Sequence, residues 1–173
     1  MNLKQEILKE HSKRQTDRII RFIGEDQKKF DELVQLFLHE EYRVVQRVAW
    51  PLSYIAIRHP HLISKHLVKI VRYAKNPRLH NAVKRNVVRF LQHIEIPKKL
   101  QGDVMDLCFY FLESPGEPVA IKAFSLTVLG NLAKLYPEII PEIKLLVEHQ
   151  IHQQSAAFRS RARKVMKELK VES

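Results

Sequence analysis

Apolar residues recur at intervals of three and four positions along almost all of the 173 residues. This period is that of an amphipathic α-helix. Only four glycines occur, so the chain offers little of the turn chemistry that β-hairpins need. The pattern therefore predicts an all-α protein. Its helices are expected at residues 3–23, 26–38, 42–58, 61–75, 79–95, 98–113, 118–135, 138–153 and 156–170.

The predicted helices repeat in pairs. When the chain is aligned on Pro60, Pro97 and Pro137, the third residue after each proline is apolar, and so is the tenth. These positions hold Ile63, Leu100 and Ile140, and then Ile70, Leu107 and Val147. A helix pair that cannot bury its apolar face alone is expected to stack on the next pair as an α-solenoid. We expect the helices at 61–75 and 98–113 to pack in parallel, and the last helix to cap the stack.

Two local features resemble the HEAT-repeat family, and the resemblance covers nearly the whole chain. The segment Val128-Leu129-Gly130-Asn131-Leu132 is similar to the Ala-Leu-Gly-x-Leu of that family, and Pro51 lies where HEAT helices are often kinked. The usual Asp at the turn is missing. The chain is most similar to small bacterial HEAT-repeat proteins. The resemblance implies a single domain over 1–173, a right-handed superhelix of about four helix pairs plus a capping helix, and a binding scaffold. Gly130 would let a neighbouring helix come close.

Charge is distributed unevenly along the sequence. Residues 42–99 contain thirteen basic side chains and one acidic one, whereas residues 100–154 contain three basic and seven acidic ones. No Asp or Glu occurs between Tyr42 and Ile94. Because like charges repel, a one-signed segment of this length indicates a surface that meets an anionic partner.

The basic residues of this segment fall at helical spacing on three successive helices. The candidate partner-binding residues are Arg43, Arg47, Trp50, Tyr54 and Arg58 on the first helix, Lys65, Lys69 and Arg72 on the second, and Arg85 and Arg89 on the third. In a solenoid such faces could merge into one patch. The alternative is that they are ordinary solvent-facing surfaces whose long side chains cover apolar groups.

Trp50 distinguishes these two interpretations. If it is exposed beside basic side chains, it offers a platform for a base or an anchor for a peptide. If it is buried, that platform is absent. The preferred partner is an acidic protein segment, and the alternative is a nucleic-acid backbone. The basic tail around Arg159 and Arg163 could extend this site or simply solubilise the end of the stack. Nothing in the pattern indicates an oligomeric state.

The sequence carries only weak signals for catalysis or metal binding. We therefore predict no enzyme, no catalytic residue, no metal site and no cofactor. The histidine pairs at 59 and 61 and at 149 and 152 lack the further ligands of a tetrahedral site. One enzymatic alternative is a HEAT-like DNA glycosylase of alkylation repair. Base excision of that kind would require a carboxylate beside aromatic rings, and residues 42–94 contain no carboxylate.

The expected location is the cytoplasm, without membrane contact. The single Cys108 lies among apolar residues at helical spacing, which predicts a buried, inert thiol in a reducing compartment. The first residues lack the apolar core of a signal peptide. The most apolar stretch, residues 119–133, is shorter than a membrane span.

Overall fold

Eleven α-helices account for most of residues 2–170, the part of the chain that the computed structural model describes, and no strand occurs in that range. This confirms the all-α prediction. The helices are α1 (Leu3–Lys9), α2 (Lys13–Ile23), α3 (Gln27–His39), α4 (Tyr42–Arg58), α5 (Pro60–Ser64), α6 (Leu67–Ala74), α7 (Asn81–Leu91), α8 (Lys98–Glu113), α9 (Val119–Ala133), α10 (Ile140–Gln150) and α11 (Ala156–Glu168). Short 3-10 turns precede and follow α10, at Pro137–Ile139 and Ile151–Gln153.

Two of the predicted helices are each divided in two. The segment 3–23 breaks before Lys13 because the Ser12 hydroxyl accepts a hydrogen bond from the Gln15 backbone N–H at 3.1 Å and so starts a new helix. The segment 61–75 breaks after Ser64, where the His66 N–H bonds to the Ile63 carbonyl at 2.8 Å in a tighter turn.

The chain divides into two compact units, one up to Ile94 and the other from Glu95. In the first unit, α4 is the central helix and packs against α1, α2, α3, α5 and α7. The apolar side of α4 is at most 1% exposed at Val44, Val48, Ala49, Leu52 and Ile55. The helix therefore lies at the centre of the core around which the other six helices are arranged.

In the second unit, α9 is the central helix and packs against α8, α10 and α11. Its Leu126 and Leu129 are fully buried. Buried Lys122 donates to the Leu112 carbonyl at 3.0 Å, at the end of α8, and to Gln150 Oε1 at 2.9 Å. One ammonium group thereby provides a hydrogen-bond donor for a carbonyl in the last turn of α8 and links α10 to the same place. Burial lowers the pKa of Lys122, and the carboxylate of Glu117 opposes that shift.

The repeat pattern is confirmed at every aligned core position except the first one of the third repeat. Ile63, Leu100, Ile70, Leu107 and Val147 are buried, whereas Ile140 is only half-buried. The reason is the 3-10 turn at Pro137–Ile139, which delays the start of α10 and places Ile143 in the core instead. The single domain over 1–173, the superhelical handedness and the parallel packing of 61–75 with 98–113 stay predictions.

Gly130 allows α9 and α11 to approach each other closely, as the sequence predicted. A methyl group at this position would lie 2.8 Å from Cγ1 of Val165, which is less than a van der Waals contact. Val165 is itself buried and branched at Cβ, so it has little room to move aside. The close approach of α9 and α11 therefore depends on the absence of a side chain in glycine.

We predict that Gly130→Ala lowers the free energy of unfolding by about 1–3 kcal/mol, the usual cost of overpacking a core. The matched control is Gly102→Ala in α8, where a methyl group would meet no atom within 4 Å. That change should leave stability unchanged or raise it by up to about 1 kcal/mol, because Ala favours the helix. Urea unfolding of both variants measures the difference. Equal stabilities would contradict the close approach.

Candidate binding surface

Helices α4 and α7 pack side by side in the first unit, and a buried polar contact sets their register. The Ser53 hydroxyl donates to Asn86 Oδ1 at 2.9 Å, and both side chains are buried. The amide of Asn86 donates in turn to the Ala82 carbonyl at 2.7 Å. Because a buried polar group needs a partner, sliding one helix along the other would break this contact at a cost.

This register brings Arg89 of α7 over the ring of Tyr54 of α4. The guanidinium carbon lies 4.3 Å from the ring centroid, within the range of a cation–π contact. Trp50 lies one turn before Tyr54 on α4, and Arg85 lies one turn before Arg89 on α7. Hydrogen bonding from Arg89 and then from Trp50 lowers the pKa of Tyr54, and the charge of Lys13 on α2 adds to this.

These five side chains form one basic–aromatic cluster: Lys13, Trp50, Tyr54, Arg85 and Arg89. Lys13 and Arg85 are exposed, Tyr54 is 38% exposed, and Trp50 and Arg89 are half-buried. Within residues 2–170 no carboxylate lies at ion-pair distance from Lys13, Arg85 or Arg89. The cluster is thus positively charged, partly aromatic and accessible from solvent.

Trp50 is neither fully buried nor freely exposed. Its ring lies 6.1 Å from that of His11, which precedes α2, at an angle of 42° between the ring planes. One side of the indole is therefore shared with the N-terminal segment, and part of the ring remains open. Trp50 is also close enough to Tyr54 to lower the pKa of that phenol by hydrogen bonding, so the two rings together widen the aromatic surface.

Arg47 has a different role from the one expected. Its guanidinium donates to the carbonyls of Leu8 at 2.8 Å and Ile7 at 3.3 Å, at the last turn of α1. These are backbone acceptors that a helix end leaves without an internal partner. Because Nη1 of Arg47 is used in these two hydrogen bonds to α1, we do not include Arg47 in the cluster.

Lys65 is also engaged within the unit. Its ammonium lies 2.6 Å from Oδ2 of Asp31 on α3, and the second oxygen of that carboxylate lies 2.7 Å from His66 Nε2 and 2.8 Å from Gln27 Nε2. Burial would raise the pKa of Asp31, but the hydrogen bonds from Lys65, His66 and Gln27 outweigh it and bring the pKa to about 2. The acidic partner comes from outside the one-signed segment, and for that reason the charge pattern did not show it.

The other candidate residues are exposed. They are Arg43 and Arg58 near the two ends of α4, and Lys69 and Arg72 on α6. The structure thus brings together Trp50, Tyr54 and Arg89 from the candidate set, and Arg85 lies one turn before Arg89 on the same helix. Arg47 and Lys65 make contacts with α1 and α3 instead. Sequence reasoning missed Lys13 and His11. They lie almost forty residues before Trp50, and no periodicity of α4 could reveal them.

The family model for the HEAT repeat domain matches residues 3–169. A match over nearly all of the sequence shows that the chain belongs to the HEAT-repeat family. Proteins of this family generally serve as protein-binding scaffolds. No curated protein and no solved structure matches the chain. Within residues 2–170, no helix combines the length and the apolar character needed to cross a bilayer.

The low pKa of Asp31 predicts a specific acid sensitivity. Its pKa in the folded state lies below the usual 3.8, so the carboxylate contributes stability above about pH 4 that is lost as the pH falls toward about 2. Asp31→Asn should therefore lower stability at pH 6 and flatten the fall in urea midpoint between pH 4 and pH 2.5. Glu32→Gln, on the exposed side of the same helix, is the control. An unchanged pH profile in Asp31→Asn would contradict this assignment.

Proposed function

We propose that this protein is a non-enzymatic scaffold that holds an acidic protein segment on its basic–aromatic cluster. The observation that carries the proposal is Arg89, which is stacked on Tyr54 with Lys13 nearby and without a carboxylate partner in the part of the chain described. A guanidinium presents two parallel N–H groups to a carboxylate and can bind it through both.

Stacking prepares Arg89 for such a partner. A free arginine side chain loses much rotamer freedom when it is fixed in an interface. Here the ring of Tyr54 already restricts the side chain, so less entropy remains to be lost on binding. Trp50 and Tyr54 add aromatic area beside it, and Trp, Tyr and Arg are the residues that contribute most binding energy in protein interfaces.

A protein segment is favoured over a nucleic acid by the number of cations within the cluster itself. Arg43, Arg58, Lys69 and Arg72 are exposed as well but are not members of the cluster. Arg47 and Lys65 are bound to groups of the protein itself, which leaves Lys13, Arg85 and Arg89 in the cluster. Duplex-binding proteins often neutralise about 6–10 phosphates over a broad surface. Three cations beside two aromatic rings better suit a short acidic segment that also offers an apolar side chain.

The direct test uses a fluorescein-labelled peptide composed of Glu and Leu, titrated with the full chain at low salt and followed by anisotropy. We expect Arg85→Ala/Arg89→Ala to weaken binding about tenfold, since two surface charge pairs are removed. The unfolding midpoint should stay close to that of the wild type because Arg85 is exposed and Arg89 is only half-buried. The control is Arg163→Ala/Lys164→Ala, which removes the same charge from exposed positions of α11.

Equal weakening by both double variants would show that only net charge matters and would contradict the proposal. A labelled DNA duplex serves as competitor. If it binds more tightly than the peptide, with log affinity falling by about 0.9 per phosphate contact against log salt, the partner is a nucleic acid instead. Release of a base from alkylated DNA would contradict the non-enzymatic assignment.

A further inference from the structure

Helix α8 carries apolar and aromatic side chains on the face that does not enter its core. Its core face is formed by Leu100, Val104, Leu107 and Phe111, all at most 5% exposed. The opposite face steps by three and four positions and lines an open groove of about 420 Å³ with the start of α10. The lining residues are Gly102, Met105, Asp106, Phe109, Tyr110, Glu113, Ile139 and Glu142.

The floor of this α8–α10 groove is apolar. Met105, Phe109 and Ile139 are half-buried, and Tyr110 is 50% exposed with its ring 5.8 Å from that of Phe111. Large aromatic side chains on the outer face of a helix expose apolar area to water without contributing fully to the core. Their position along a groove is typical of a surface that is covered by a partner.

The rim of the groove is acidic and uncompensated. Asp106, Glu113 and Glu142 are exposed, and none of them has an ion-pair partner among the described residues. Two other carboxylates of this unit are paired, Glu148 with Lys144 at 3.8 Å and Glu168 with Lys134 at 3.5 Å. The three carboxylates thus line the same groove as the apolar side chains and favour a positively charged occupant.

We propose that the α8–α10 groove is a second docking surface, which takes a segment of another protein whose apolar side chains are flanked by Lys or Arg. The apolar side chains cover Met105, Phe109 and Ile139, and the cations pair with Glu113, Glu142 and Asp106. The chemistry is opposite to that of the basic–aromatic cluster. The proposal uses only residues of the second unit and does not rest on the proposed function.

The test uses a labelled amphipathic peptide of Leu and Lys, titrated with the full chain and followed by anisotropy. We expect salt-sensitive binding that Glu113→Gln/Glu142→Gln weakens about tenfold, as for two surface ion pairs. Tyr110→Ser should weaken it as well, because half of that ring is exposed and would be covered. Glu148→Gln, an acidic residue of α10 outside the groove, should bind like the wild type.

A second peptide, with each Leu replaced by Ser and the same number of Lys, separates docking from simple charge attraction. It should bind at least about tenfold more weakly, because burying two Leu side chains is worth more than that. Equal binding of the two peptides, or no effect of Glu113→Gln/Glu142→Gln, would overturn the proposal. So would self-association of the chain that this double variant abolishes, since a second copy would then be the occupant. Arg85→Ala/Arg89→Ala should not affect the Leu-Lys peptide, so the two surfaces are tested independently.

Discussion

The packing of other helices around α4 determines which of its side chains remain available. Five helices contact it, and its apolar side is almost completely buried. Only a narrow strip is left, and even this strip is partly used, since α1 engages Arg47 and His11 lies beside Trp50. Tyr54 and the half-buried Trp50 remain available in the second half of the helix, while Arg43 and Arg58 are exposed near its two ends. The contact of Ser53 with Asn86 then fixes the position of α7 so that Arg89 lies over the ring of Tyr54.

Much of this arrangement could be predicted from the sequence because it depends on local spacing. The period of three and four places Trp50 and Tyr54 on one face of α4 and Arg85 and Arg89 on one face of α7. Gly130 likewise indicated that another helix approaches closely, and in the structure Val165 of α11 is the side chain that packs against it. Helix ends were less predictable, since Ser12 and the turn at Pro137–Ile139 act through local hydrogen bonds that apolar periodicity does not register.

The remaining features depend on contacts between residues that are distant in sequence. Arg47 meets carbonyls forty residues before it, and Lys65 meets a carboxylate thirty-four residues before it. The absence of Asp and Glu between residues 42 and 94 indicated a surface that meets an anionic partner. In the fold, backbone carbonyls of α1 bind Arg47, and the carboxylate of Asp31 on α3 binds Lys65. Lys13 of α2, which lies outside the basic segment, joins the cluster. The basic segment is therefore partly a structural device and only in part a binding surface.

The central claim, that an acidic segment binds at the basic–aromatic cluster, can be tested most directly through Trp50, the single tryptophan of the chain. Its emission should shift and saturate when the Glu-Leu peptide is added, with a midpoint equal to that of the anisotropy titration, because the partly open indole lies within the site. The shift should disappear at high salt. Saturable peptide binding without any change in Trp50 emission would contradict the account, because the peptide would then be held elsewhere on the protein.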